Sequence, residues 1–204
     1  MRVGVFGGSF DPPHVGHLVV AQDATEALAL DLLLLVPARV SPFKVQDSAT
    51  PGEVRAEMLE RALAGHPLMR VWRGELERPA PSYTVETLRD LATHYPGAEF
   101  FLLMGQDQWA GFSNWRDPEE ILTIAQVCVL DRDAGNDAPA LGQRPHRRVH
   151  TRRVDVSSTE IRERVAAGQS IRYLVPEPVR DAITTNRLYG SPGPEQGVPA
   201  SPDS

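Results

Sequence analysis

The run Gly7-Gly8-Ser9-Phe10-Asp11-Pro12-Pro13-His14-Val15-Gly16-His17 gathers residue types suited to handling phosphate. Two glycines let the backbone approach an anion closely and adopt dihedrals that other residues avoid. The N–H groups of such a turn, next to a helix N-terminus, form an anion site. His14 and His17 are three residues apart, so at a helix start they project to one side. Two imidazoles aimed at one phosphate can donate hydrogen bonds as charge builds during group transfer. A bare His-x-x-His would also suit a metal; the whole string, set between strand and helix patterns, favours phosphate. No glycine precedes Lys-Ser or Lys-Thr, and Gly7-Gly8 lacks G-x-G-x-x-G spacing, so a Walker loop and a dinucleotide fingerprint are both excluded.

A second segment, Val156-Ser157-Ser158-Thr159-Glu160-Ile161-Arg162-Glu163-Arg164, has the same character. Ser157-x-x-Glu160 is a capping-box pattern and marks a helix start. Ser158 and Thr159 then present hydroxyls and N–H groups at the positive end of that helix. Arg162, on its first turns, adds a full charge toward a polyphosphate.

Both segments need a strand before them and a helix after them, and the chain supplies such elements almost from end to end. Apolar runs predict strands at 2–6, 32–36, 69–72, 100–104, 127–130 and 152–156. Helical spacing predicts helices over 17–30, 53–64, 85–93 and 118–124, one opening at Ser157, and another over 176–185. In the 53–64 helix Val54, Met58 and Leu59 are expected inward, with Glu57, Arg61 and the other charges facing water. Such alternation predicts an α/β fold, a doubly wound parallel sheet with helices on both faces. Ligands of these sheets bind outside the carboxyl ends of the strands, where both segments fall. One domain is expected over 1–190. The stretch 191–204 has almost no apolar residues and reads as a disordered tail. The stretch 133–144 reads as a loop, and its basic end, Arg144-Pro145-His146-Arg147-Arg148, as a solvated edge, with phosphate steering or a subunit contact as other uses.

Composition points to an ordinary soluble protein, with 41% hydrophobic and 24% charged residues. A formal net charge of −6 gives no reason to expect nucleic acid or a membrane surface as partner. No stretch reaches the ~18 apolar residues of a membrane span, and the N-terminus reads as a strand rather than a signal peptide. The single cysteine, Cys128, lies in an apolar run and is expected as a buried core thiol. A cytoplasmic location fits these features.

The string GGSFDPPHVGH resembles the HxGH signature of nucleotidyltransferases related to the catalytic domains of class I aminoacyl-tRNA synthetases. VSSTEIR resembles their ISSTxIR motif, with Val156 in place of isoleucine. Within that superfamily, Glu75-Leu76-Glu77-Arg78 … Ser82-Tyr83-Thr84-Val85-Glu86-Thr87-Leu88, the Gly105-Gln106-Asp107 stretch and Asn114-Trp115-Arg116 resemble nicotinate mononucleotide adenylyltransferases. Leu174-Val175-Pro176 and Leu188-Tyr189 match that family's closing helix.

The resemblance implies adenylyl transfer from ATP to nicotinate mononucleotide, giving nicotinate adenine dinucleotide and pyrophosphate in NAD synthesis. It implies that His14 and His17 are catalytic, with His17 the stronger candidate for the α-phosphate. ATP would contact Gly7, Gly8, Ser9, Phe10, His14, His17, Gly105, Asp107, Ser158, Thr159 and Arg162. The mononucleotide would contact Lys44, Tyr83, Thr84 and Trp115, with the indole stacking on the pyridine ring. Mg²⁺ is implied with ATP, with no protein metal site marked; a homo-oligomer is possible. Ser9 stands where many relatives have threonine, and Phe43 departs from the histidine common in the Ser41-Pro42-Phe43-Lys44 loop. Nicotinamide mononucleotide or phosphopantetheine as acceptor, and a nucleotide sensor without catalysis, are the alternative readings.

Overall fold

The computed structural model describes residues 1–40, 50–131 and 144–190. Lys44 and Phe43, nearly all of the loop expected at 133–144, and the tail expected at 191–204 lie outside the described residues. The described chain forms one six-stranded sheet with helices on both faces. Strand β1 (Arg2–Gly8) leads to helix α1 (Val15–Ala27), and β2 (Leu32–Pro37) to α2 (Gly52–Ala62). After β3 (Met69–Val71) come a single turn, α3 (Gly74–Glu77), and then α4 (Thr84–His94). Strand β4 (Glu99–Gly105) is followed by α5 (Gln106–Ala110) and α6 (Pro118–Ile124). Strands β5 (Ala125–Asp131) and β6 (Arg147–His150) complete the sheet, and α7 (Ser158–Ala166) and α8 (Glu177–Thr185) close the chain.

The strand order is β3-β2-β1-β4-β5-β6, and each neighbouring pair is parallel. Period-two alternation divides the apolar residues between the two faces. Phe6, Leu33, Leu35, Phe101, Leu103, Cys128 and Leu130 meet α1 and α2 through Val20, Ala21, Ala24 and Leu59. Val3, Val5, Leu34, Val36, Leu102, Met104, Val127 and Val129 meet α4, α5 and α6 through Leu88, Leu91, Trp109 and Ile121. This is the doubly wound sheet that the β–α alternation predicts. A third cluster joins α7 and α8 to α2, with Ile161, Val165, Val179 and Ile183 packed around Met58.

The sequence expectations fail in three places. The strand expected at 152–156 forms instead at Arg147–His150, inside the basic run. Val149 alone of that strand turns into the core; its arginines flank an edge strand, where charge discourages further pairing. The last ladder bond is Thr151 N–H to Asp131 O at 2.8 Å. The next N–H, of Arg152, donates to Asp23 Oδ2 at 2.7 Å, which draws the chain off the sheet and across to the start of α7. The short helices α3 and α5 were not foreseen, because four or five residues are too few to show a helical period. Arg55, expected among the solvent-facing charges of α2, is instead 1% exposed. It lies three and four residues before Met58 and Leu59, on the stripe that faces the protein.

Among the described residues no helix is long and apolar enough to cross a membrane. Cys128 is fully buried, and burial pushes its thiol up to about 11. At pH 8 it is therefore expected to resist iodoacetamide in the native protein and to react once denaturant is added. Stoichiometric labelling of the folded protein at that pH would contradict the packing described for β5.

Candidate active site

The sheet opens where two of its central strands diverge. β1 keeps its register with β2 through Gly8↔Pro37, whereas its pairing with β4 ends at Phe6↔Leu103. The crevice outside the carboxyl ends of β1 and β4 is the topological switch point of such a sheet. A cavity of about 850 Å³ occupies it. Gly7, Gly8, Ser9, Phe10, His14, His17, Tyr83, Thr84, Gly105, Asp107, Trp115, Ser158, Thr159 and Arg162 all line it. Every site residue expected from sequence within the described residues is thus brought to one cavity; Lys44 lies outside them.

On one rim, Phe10 takes a left-handed backbone, φ 49°, that is rare for a bulky residue. Its ring, 2% exposed, lies edge-on to His17 with centroids 5.0 Å apart, so Phe10 supports the imidazole from behind. His14 caps the N-terminus of α1 in an extended conformation. The two imidazoles stack with centroids 3.7 Å apart. The His14 backbone N–H donates to His17 Nδ1 at 3.2 Å. An Nδ1 that accepts leaves the ring proton on Nε2, so neutral His17 offers Nε2–H as a donor.

Gly16 permits that arrangement. A Cβ there would lie 3.0 Å from His14 Nδ1 and 3.6 Å from the Val154 carbonyl. At Gly7 and Gly105, by contrast, a Cβ would meet no protein atom within 4 Å, and both residues line the cavity. What glycine spares at those two positions is room for something other than the chain itself.

The second motif reaches the same rim. Ser157 caps α7, its Oγ accepting from Glu160 N–H at 3.1 Å. Ser158 Oγ donates to Pro12 O at 2.8 Å. Arg162 Nη1 donates to Asp11 O at 2.9 Å, and its Nη2 to Thr159 Oγ1 at 3.3 Å. The start of α7 is therefore fastened to the histidine loop as well as facing the cavity.

The opposite wall comes from α4 and the segment after α5. Tyr83 caps α4 and Thr84 is its first residue, so the N-terminal N–H groups of an eleven-residue helix meet the cavity. Trp115 is partly buried against Phe112, with centroids 5.5 Å apart. Arg116 lies over the Tyr83 ring at 4.6 Å and donates to Glu86 at 2.9 Å. Trp109 is 7% exposed and stacks on Phe112, a packing role.

The comparisons with known proteins agree with this geometry. The cytidylyltransferase-like family model matches residues 5–164. A probable nicotinate-nucleotide adenylyltransferase of Geobacillus thermodenitrificans is 40% identical over 191 residues, covering 93% of this chain and 87% of that one. Another from Salinibacter ruber is 41% identical over 195 residues, covering 93% of this chain and 98% of its own. The chain belongs to the nicotinate-nucleotide adenylyltransferase family. Its fold is also that of the Plasmodium falciparum nicotinic acid mononucleotide adenylyltransferase complexed with NaAD, with a TM-score of 0.75 at 17% identity, covering 93% of this chain and 97% of that one.

Several residues that shape this adenylyltransferase site escaped the sequence reading. Arg55 donates to Ser9 O at 2.5 Å, Ala38 O at 2.7 Å and Thr50 O at 3.1 Å, joining the exits of β1 and β2 to the start of α2. Burial pulls its guanidinium below the usual value, while Asp11 and Tyr189 oppose that. Glu75 is buried in the cavity wall, and its carboxyl is raised by desolvation against hydrogen bonds from Thr87 and Ser82. Thr87 Oγ1 donates to Glu75 at 2.6 Å and accepts from Arg78 at the same distance. The sequence signals were slight: Arg55 lies on an apolar stripe, and Glu75 and Thr87 fall in the stretch that resembles the family, with no role attached to either.

Gly16→Ala is expected to fold, to push the His14 ring aside and to lower kcat for adenylyl transfer by at least about tenfold, since ångström-scale misplacement costs on the order of a hundredfold. Steady-state kinetics of the folded variant at wild-type rate would contradict the role given to this glycine.

Proposed function

We propose that this adenylyltransferase joins ATP to nicotinate mononucleotide, forming nicotinate adenine dinucleotide and pyrophosphate. The observation that carries the reading is the shared cavity: two phosphate-handling loops form one rim, and a helix N-terminus beside an indole forms the other. A volume of about 850 Å³ suits two nucleotides held end to end better than one small anion.

A phosphate oxygen of the mononucleotide attacks the α-phosphorus of ATP. The bond from that phosphorus to the oxygen bridging the α- and β-phosphates breaks, and pyrophosphate leaves with the electron pair. The nucleophile is already ionised, so the protein needs no general base; it positions the reactants and stabilises charge. His17, through Nε2–H, contacts the α-phosphate, and His14 adds a second donor. Ser158, Thr159 and Arg162 hold the β- and γ-phosphates. Gly7, Gly8 and Ser9 let the nucleotide lie against β1, and Phe10 braces His17. Gly105 and Asp107 hold the adenosine ribose. Tyr83 and Thr84 present N–H and hydroxyl donors to the nicotinate carboxylate, and Trp115 stacks on the ring, worth about 1–3 kcal/mol. Lys44, outside the described residues, would add charge as the resemblance of its Ser41–Lys44 segment implies.

Mg²⁺ is assigned to the triphosphate rather than to a protein cage. Asp11, the one carboxylate of the histidine loop, is 3% exposed and its Oδ1 accepts from Tyr189 at 2.5 Å. Among the described residues no group of three or more His, Cys, Asp or Glu is arranged to hold a metal. When bound, the ion would neutralise phosphate charge. A cytoplasmic location suits this chemistry.

The test is pyrophosphate release from ATP and Mg²⁺ with nicotinate mononucleotide, nicotinamide mononucleotide and phosphopantetheine in parallel. The reading expects the nicotinate acid to be strongly preferred. Preference for another acceptor would keep the phosphate chemistry and overturn the roles of Thr84 and Trp115; no release with any acceptor would leave a nucleotide sensor. In the same assay His17→Ala is expected to lose at least about a hundredfold in kcat while staying folded, the usual worth of one charge-stabilising donor.

A further inference from the structure

The histidine loop is held from behind by a residue far along the chain. Tyr189 and Asp11 are 178 positions apart, yet the phenol donates to Asp11 Oδ1 at 2.5 Å. The Thr50 hydroxyl hydrogen-bonds the same phenol. The Thr50 carbonyl accepts from Arg55 Nε at 3.1 Å, and Arg55 Nη1 donates to Ser9 O at 2.5 Å. Ser9 and Asp11 belong to one loop, so these contacts close a ring through the β1 exit, the start of α2 and the segment after α8. Asp11, Thr50 and Arg55 are 3%, 4% and 1% exposed. Buried polar groups of this kind are costly unless each finds partners, and a satisfied network fixes one geometry.

The segment that carries the phenol is itself held in a defined shape. Arg187 and Tyr189 take left-handed backbones, φ 50° and 55°, which are uncommon for side chains of their size. A residue stays there only when its surroundings over-determine it. Leu188 and Tyr189 also pack on the α7–α8 cluster. From that same unit the Leu174 carbonyl accepts from Val15 N–H at 3.0 Å, inside the histidine segment itself. Asp11, Thr50 and Arg55 line the cavity, whereas Tyr189 sits behind that wall. Tyr189 can therefore act on the reaction only through another residue.

We propose that Tyr189 is a positioning residue for adenylyl transfer, holding Asp11 and thereby the Phe10–His17 segment in the shape that presents both imidazoles to the phosphates. The proposal rests on the adenylyl-transfer reading for its kinetic consequences and on the ring geometry for its structural ones.

The experiment uses the full chain with Tyr189→Phe, which keeps the ring volume and removes only the hydroxyl. Circular dichroism should match the wild type. The expected kinetic result is a kcat lowered about tenfold with both KM values within about twofold, the pattern of a lost transition-state geometry. Asp11→Asn and the double variant complete a cycle: if the phenol acts through Asp11, the double variant is no slower than the slower single one. Losses that multiply would overturn the proposal, as would an unchanged kcat in Tyr189→Phe. The imidazole NMR signals of His14 and His17 are read in the same samples. Shifted signals support the ring, and unmoved signals overturn it even if the wild type were inactive with nicotinate mononucleotide. Thr50→Val, which removes only the hydroxyl meeting the phenol, should show a smaller change of the same kind. It decides the matter if Tyr189→Phe does not fold, and an unchanged Thr50→Val would then overturn the proposal.

Discussion

β1 and β4 lie side by side in the middle of the sheet, but their connections leave toward opposite faces. Helix α1 returns over the face that carries Phe6 and Leu103; α5 and α6 return over the face that carries Val5 and Met104. Two chains that diverge cannot fill the space between them, so a crevice is unavoidable at this point. The other functional elements are arranged around that opening. The histidine loop leaves the end of β1, Gly105 ends β4, the cap of α7 comes in from beyond β6, and the cap of α4 faces across.

The crevice must hold several negative charges in a protein whose own net charge is −6. Helix N-termini and backbone N–H groups meet that need without adding bulk, and Arg162 adds a formal charge on the rim. Keeping such loops open toward solvent while fixing their shape requires anchors on the side away from the ligand. Arg55 supplies one by binding the carbonyls of Ser9, Ala38 and Thr50. Asp11 and Tyr189 supply another, and Ser158 and Arg162 a third through the Pro12 and Asp11 carbonyls. Removing one member would strand a buried partner, at about 1–3 kcal/mol for each unsatisfied group. The supports of the site are polar and mutually dependent.

Much of this was legible in the sequence. Strand and helix periods are local, so the parallel sheet and its longer helices followed from apolar spacing, apart from the sixth strand and the short α3 and α5. The HxGH and SSTEIR strings could be placed at strand–helix junctions because glycine, histidine and capping serine have local meanings. The supporting residues were not legible for the opposite reason. Arg55 in a charged helix looks like any solvated arginine until the carbonyls of two distant loops are seen around it. Tyr189 looks like the end of a helix until Asp11 is found beside it. The strand at Arg147–His150 was hidden because an edge strand has little apolar content to display, and the Val154–Val156 alternation that stood out instead belongs to a connector drawn aside by Asp23.

The central claim is that phosphates meet the Gly7–His17 loop while the pyridine ring meets Trp115 across the same crevice. A crystal structure with nicotinate adenine dinucleotide bound tests it most directly. The account predicts the α-phosphate within hydrogen-bonding distance of His17 Nε2, the ring stacked on Trp115 and its carboxylate at the N-terminus of α4. A dinucleotide bound in the reverse orientation, or outside the crevice between β1 and β4, would contradict it.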